Sequence, residues 1–286
     1  MSILIPKKLH LTCKNKITID NNKIWKECLQ KYKLIYTDYE IKVYDNQDIY
    51  NIIEKEYPEY LEKIRQIKVG AVLADIFRYL ILYLEGGIYS DLDCEPLKKI
   101  DTLFTNQPYY HGDKLRNNNF YVYPNNKKLV DNKWDFYNNP CDNCNLISKD
   151  EIDTYQCLGH VIPVNKSILL SYEFHKDWHP NCNNINVCQW FMISKPKQPI
   201  FLKMFMHCIE NIDKLINLDK KSENYLTDVL TTSGPLKFSL FILNGEYDDD
   251  IFILPNDFFC AGSCWDYTVP VTRNSYIKHR FTGTWR

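Results

Sequence analysis

The side chains with the clearest chemical potential stand in Ile88-Tyr89-Ser90-Asp91-Leu92-Asp93, where a short apolar run ends in two carboxylates separated by one residue. Read as a strand, that spacing sends Asp91 and Asp93 to one side and Leu92 to the other as an anchor. Hard oxygen donors converging at a strand end suit a divalent cation such as Mg2+ or Mn2+ beside a diphosphate. A bare Asp-x-Asp also serves as a solvated turn or a strand-end cap, so the elements that deliver it decide its meaning. Upstream, Asp75 and Arg78 stand three apart in an apolar segment and share a face if that segment is helical. They either pair with each other or present a carboxylate and a guanidinium to one ligand. Buried ion pairs add little net stability, which weighs toward the ligand role.

The segment from Val69 to Leu84 is apolar nearly all round, as a helix buried in a core must be, and Gly86-Gly87 end it. Before it, Lys7 to Leu11 reads as a strand, Ile24 to Tyr32 has helical spacing, and Glu40 to Tyr44 reads as a second strand. That is a β-α-β opening, with further helices expected between Asp45 and Ile67. Asn117 to Asp153 is rich in Asn, Asp, Lys and Tyr and poor in periodicity, so it reads as a long excursion. Pro199 to Asn211 and Pro235 to Leu243 read as helices, each opened by a proline suited to the first turn. The expectation is one α/β domain over residues 1–286, with a middle insertion at about 102–193 on the acceptor side.

The 35 basic and 36 acidic residues leave a formal charge of -1, no field that would gather nucleic acid or an anionic membrane. Any anion must be held locally. The N-terminus lacks the apolar core of a signal peptide, and no stretch approaches the ~20 apolar residues of a transmembrane helix, so a soluble, cytoplasmic protein is expected. Eleven irregularly spaced cysteines point to reduced thiols. Cys141, Cys144, Cys157, Cys182 and Cys188, with His160, His175 and His179, offer a possible structural zinc site, though one CxxC without a second pair reads more plainly as scattered thiols.

Several motifs run in order along nearly the whole chain. They are Ile5-Pro6-Lys7-Lys8-Leu9-His10, then Ala74-Asp75-x-x-Arg78-Tyr79-x-x-Leu82-Tyr83-x-x-Gly86-Gly87-Ile88-Tyr89-x-Asp91-x-Asp93, then Thr232-Ser233-Gly234-Pro235, then His279-x-x-x-Gly283-Thr284-Trp285. This pattern resembles the glycosyltransferases with a DXD sugar-binding region, typified by the yeast initiating α-1,6-mannosyltransferases (glycosyltransferase family 32-like) and, more distantly, by the clostridial glucosylating toxins. The resemblance implies a GT-A fold, a Rossmann-like α/β sandwich whose first β-α units hold the nucleotide. It also implies transfer of a hexose from a nucleotide-sugar, UDP-hexose first and GDP-mannose second, to a glycan, protein or lipid acceptor, with a divalent metal and retention of configuration. By carry-over, Asp93 is the direct metal ligand, and Asp91 bridges ribose, sugar or metal-bound water. Asp75 and Arg78 contact donor hydroxyls, while His10, Leu11, Thr12 and Tyr89 border the donor. His279 aligns with a C-terminal metal ligand and Trp285 with a tryptophan touching the donor diphosphate.

Other readings stay open at this point. His279 sits in the basic stretch Lys278-His279-Arg280 and Trp285 suits a terminal aromatic plug, while Thr232 to Pro235 suits an ordinary helix start. An inverting enzyme would need a general base, for which Asp228, Asp257 and Asp266 are candidates. A member of the family that binds nucleotide-sugars or glycans without turnover would keep the same motifs, and a zinc-binding interaction protein would use the cysteine group.

Overall fold

The computed structural model describes residues 5–104, 109–110, 112–114, 120–122, 158–160, 166–174, 185–243, 246–247, 250–254, 256–263, 268–269, 271–272 and 274–283. Strand β1 (Lys8–Thr12), helix α1 (Lys23–Ile35) and strand β2 (Glu40–Tyr44) form the expected β-α-β opening, with β1 and β2 parallel. Asn22 caps α1 by accepting from the Trp25 amide. Helix α2 (Asn46–Glu56) starts on a reciprocal capping box between Asp45 and Asp48. The apolar helix α3 (Gly70–Leu84) then leads into β3 (Gly87–Asp91), which pairs in parallel with the other edge of β1.

Strand β1 therefore has β2 on one side and β3 on the other, and the chain reverses direction across the sheet at β1. Such a switch point opens a crevice beyond the carboxyl ends of the strands, the favoured ligand position in open α/β sheets. The register sets Thr12 against Asp91 at that end.

After β4 (Cys94–Pro96), the main sheet is completed by β5 (Ile168–Phe174), β6 (Ile185–Val187), β7 (Phe191–Ser194) and β8 (Ile251–Leu254). Its order is β6-β5-β7-β3-β1-β2, with β8 added in parallel to β5. Strand β7 runs antiparallel between β3 and β5. Strands β5 and β6 lie within the segment 102–193. From Ile168 the chain is back in the sheet, because Ile168-Leu-Leu and Phe191-Met-Ile are apolar runs that bury on both faces.

The strands alternate between two cores. Helix α3 packs on one face with α4 (Pro199–Glu210), α5 (Tyr225–Thr232) and α6 (Pro235–Leu243), burying Phe77, Phe201, Phe205, Val229 and Phe238 together. On the other face, α1 lays Tyr32 and Tyr36 against Leu9, Leu11, Ile88 and Leu92. Alternation along β3 sends Tyr89 and Asp91 toward α3 while Ile88 and Ser90 face α1, where the Ser90 hydroxyl meets Tyr32 Oη at 2.7 Å. No helix among the described residues is long and apolar enough to cross a membrane.

The turn from α3 into β3 leaves no room for side chains. Gly86 (φ 64°) and Gly87 (φ 91°) both occupy the left-handed region. A Cβ on Gly87 would lie 2.6 Å from the Lys8 carbonyl oxygen, and one on Gly86 would lie 2.5 Å from the Pro196 nitrogen. Gly87→Ala is expected to cost roughly 1–3 kcal/mol or more, since strained φ and backbone collision add. Urea denaturation checks this, and an unchanged midpoint would show that the turn relaxes freely.

Candidate active site

Arg78 is the centre of the site although it is only 6% exposed. Its Nη2 lies 3.3 Å from Asp75 Oδ1 and 3.2 Å from Asp91 Oδ1, its Nη1 donates to the Gln189 carbonyl at 3.0 Å, and its guanidinium sits 4.8 Å over the Tyr89 ring. Helical spacing places Asp75 and Arg78 on one face, and the parity of β3 turns Asp91 toward it. Nearby carboxylates raise the Arg78 pKa further although burial opposes this, so it is a permanent cation.

Asp75 is fully occupied inside the protein. Its Oδ1 accepts from Gln189 Nε2 at 3.2 Å and its Oδ2 from the Ser233 hydroxyl at 2.8 Å. The Gln189 amide also donates to Tyr79 Oη and, at 3.2 Å, to the Ser233 carbonyl. Asp91 differs: its side chain is 30% exposed, and its Oδ1 accepts from Tyr89 Oη at 2.8 Å as well as from Arg78. Among the described residues, Oδ2 of Asp91 has no protein donor. Burial and the Asp93 charge raise the Asp91 pKa, while Arg78, His279 and the Tyr89 hydroxyl pull it down.

Asp93 is held by another part of the chain. Strand β3 stops at Asp91, so Leu92 and Asp93 form a turn into β4 rather than continuing the strand as the spacing suggested. Strand β9 (Ile277–His279) pairs antiparallel with β4 and sets His279 opposite Cys94. His279 Nε2 lies 3.1 Å from Asp93 Oδ1, and the Thr282 amide and hydroxyl both donate to Asp93 Oδ2 at 2.9 Å. Burial would raise the Asp93 pKa, but His279 and the Thr282 hydrogen bonds outweigh it and hold the carboxyl well below its ordinary range. Arg280 reinforces the pairing through Glu95 at 2.7 Å, and Lys31 bonds the other oxygen of Glu95.

The structure brings Asp75, Arg78, Tyr89, Asp91 and Thr12 into one network, since Thr12 Oγ1 lies 2.9 Å from Tyr89 Oη. It brings Asp93 and His279 into a second. His10 stands apart, in the core, with Nδ1 3.0 Å from Tyr44 Oη and Nε2 2.9 Å from the Gly86 carbonyl. Burial lowers its pKa to about 4, so the ring is neutral and neither nitrogen is left for a ligand. Leu11 is wholly buried against α1, and Tyr89 is wholly buried with its hydroxyl committed. Trp285 lies outside the described residues, as do Cys141, Cys144, Cys157, Cys182, His175, His179 and Asp266. Cys188 is wholly buried in the α1-side core. Asp228 is paired with Lys214 at 2.8 Å, and Asp257 is buried and accepts from Thr272.

Gln189 is the important residue that sequence reasoning missed. Its signal was a single amide in the apolar run Val187-Cys-Gln-Trp-Phe-Met-Ile, where burial obliges a polar side chain to find partners.

Asp93 and His279 offer an oxygen and a nitrogen donor that suit a divalent cation, and Asp91, two residues before Asp93, has a side chain that is 30% exposed. Among the described residues, Arg78 Nε and His279 Nδ1 are buried without a hydrogen-bond partner.

Burial raises the Asp75 pKa to about 7, against the pull of Arg78 and the Ser233 hydrogen bond. A carboxyl whose folded pKa exceeds its unfolded value binds more protons when folded, so its contribution to stability falls as pH rises between about 4 and about 7. Asp75→Asn removes that slope. From about pH 4.5 to about pH 7.5, the urea midpoint of the wild type should fall relative to that of the variant. Parallel pH profiles for the two proteins would reject this assignment.

Comparisons with known proteins cover part of the same region. Residues 22–110 match the family model described as the glycosyltransferase sugar-binding region containing a DXD motif. The chain is 38% identical over 100 residues to a mannosyl phosphorylinositol ceramide synthase of Saccharomyces cerevisiae, covering 35% of this chain and 25% of that protein. It is 25% identical over 173 residues to the initiation-specific alpha-1,6-mannosyltransferase of the same yeast, covering 59% of this chain and 32% of the relative. The chain thus spans about a quarter to a third of the length of these relatives. Among solved structures, the ligand-free glycosyltransferase domain from the YGT toxin aligns over 88% of this chain and 80% of its own, at 10% identity and a TM-score of 0.47. The PaToxG glycosyltransferase aligns over 85% and 70%, at 15% identity and a TM-score of 0.43. Asp75, Arg78, Asp91 and Asp93 all fall within the segment that matches the sugar-binding region of the DXD-containing glycosyltransferases.

Proposed function

We propose that this protein is a divalent-metal-dependent glycosyltransferase that moves a hexose from a nucleoside diphosphate sugar to a hydroxyl of a glycoconjugate. The observation that carries the reading is the Asp91-Leu92-Asp93 turn at the carboxyl end of β3. It stands at the switch point between β1 and β3, with each acid braced by its own network. Relatives whose names carry mannosyl transfer, a mannosyl phosphorylinositol ceramide synthase and an alpha-1,6-mannosyltransferase, move GDP-mannose ahead of UDP-hexose as the donor we favour. Transfer with retention is the course that the resemblance implies.

A bound divalent cation would supply positive charge beside the departing diphosphate oxygen. Asp93 and His279 are the residues to hold it. Arg78 and Tyr89 fix Asp91 through Oδ1, leaving Oδ2 to accept from a sugar or ribose hydroxyl or from metal-bound water. The Thr12 hydroxyl stands beside it at the end of β1. Arg78 thus acts by orienting Asp91 and by lending fixed positive potential to a water-poor site.

Purified protein with Mn2+ and each common nucleotide-sugar should release a free nucleoside diphosphate from one donor. Asp93→Ala should lower that release by about 100-fold or more, the scale seen when a fixed electrostatic partner of the transition state is removed. Calorimetry showing no nucleotide binding with or without metal, or donor affinity unchanged in Asp93→Ala, would overturn the proposal.

A further inference from the structure

The turn that carries Asp93 also carries a third donor, which the proposed reaction does not use. Cys94 follows Asp93 directly and is wholly buried, and the pairing of β4 with β9 sets it opposite His279. One ligand atom from each of Asp93, Cys94 and His279 lies within 4.8 Å of the others. The carboxylate and imidazole members are 3.1 Å apart, and the thiol, which donates to the Trp190 carbonyl at 3.7 Å, completes the group. Among the described residues it is the one group of three such side chains this close together. The scaffold beneath it is firm, because Glu95 ties β4 to Arg280 on one side and to Lys31 of α1 on the other.

A sulfur, an imidazole nitrogen and a carboxylate oxygen make a donor set of intermediate softness. Mg2+ and Mn2+ prefer oxygen, whereas Zn2+ and Co2+ take sulfur and nitrogen in tetrahedral sites and lie higher in the general affinity order than Mn2+. We propose that Asp93, Cys94 and His279 form a Zn2+ site that competes with the hard cation of the donor complex, so that zinc shuts the enzyme off. The inhibitory consequence rests on the function proposed above, but the site does not. On binding, the Cys94 thiol releases its proton to solvent as the sulfur–metal bond forms, and the proton that His279 Nε2 donates to Asp93 moves to Nδ1 as the ring changes tautomer, freeing the Nε2 lone pair for the metal; no electrons are transferred.

Cobalt(II) titration of the full chain tests this, because thiolate ligation gives a near-ultraviolet charge-transfer band that oxygen and nitrogen ligands alone do not. The wild type should develop the band with one equivalent of Co2+ and lose it on addition of Zn2+. Cys94→Ser should abolish it, and should weaken Zn2+ binding by at least about tenfold, the scale on which loss of a group that merely supports a metal ligand is felt. His279→Asn, which keeps every thiol, should also abolish it, and this variant decides the matter if Cys94→Ser fails to melt cooperatively. The double variant Cys141→Ser/Cys144→Ser should retain the band. Absence of the band in the wild type, its survival in His279→Asn, or its loss in the double variant would overturn the site. A protein that shows the band as described yet binds no nucleotide-sugar would sink the proposed function and leave the site standing. One that turns over a donor without the band would do the reverse.

Discussion

A guanidinium inside an apolar sandwich has lost its hydration, a loss of several kcal/mol that only well-placed acceptors can offset. For Arg78 those acceptors are Asp75 one turn earlier on α3, Asp91 at the end of β3 and the Gln189 carbonyl just before β7, with the Tyr89 ring against its face. Three elements must therefore arrive in a fixed relation. Helix α3 has to stop at a glycine pair that lets β3 turn back beneath it. Strand β3 must present odd-numbered residues to that helix, and the antiparallel β7 must come close enough to offer a main-chain oxygen. The electrostatic need of one side chain and the packing of the sheet are met by the same arrangement.

The two acids of the motif are then unlike each other despite their near-identity in sequence. Asp91 belongs to the sheet, and a cation and a phenol hold one of its oxygens. Asp93 belongs to the turn, and the C-terminal segment holds it through His279 and Thr282. Opposing shifts follow from this. Burial and the neighbouring charge of Asp93 raise the Asp91 pKa, whereas His279 and Thr282 keep Asp93 ionised despite its burial. A pair built this way offers one carboxylate for charge and one suited to hydrogen bonding.

Much of this was legible in the sequence because strong periodicity leaves little freedom. The all-round apolar helix, its terminal glycines and the β-α-β opening are each dictated locally, and they appear where the spacing put them. The pairing of Asp75 with Arg78 also followed from helical geometry. What spacing could not fix was whether that pair faces a ligand or the interior. The answer depends on Ser233 and Gln189, more than a hundred residues away along the chain, closing over Asp75. The same holds for His10, whose ring is claimed by Tyr44 and the Gly86 carbonyl, contacts that no local pattern announces. Strands β5 and β7 were obscured because their continuous apolar runs carry no alternation to separate a buried strand from a loop of scattered aromatics.

Strands β3 and β7 are hydrogen-bonded neighbours, yet the chain leaves the main sheet at Asp91 and rejoins it at Ile168 before β7 is laid down. The seam between them is a long-range closure, with Phe191 set opposite Ser90 beside the acidic turn. The flank of that turn is complete only once two strands distant in sequence have met, so folding carries a long-range closure cost before the site exists.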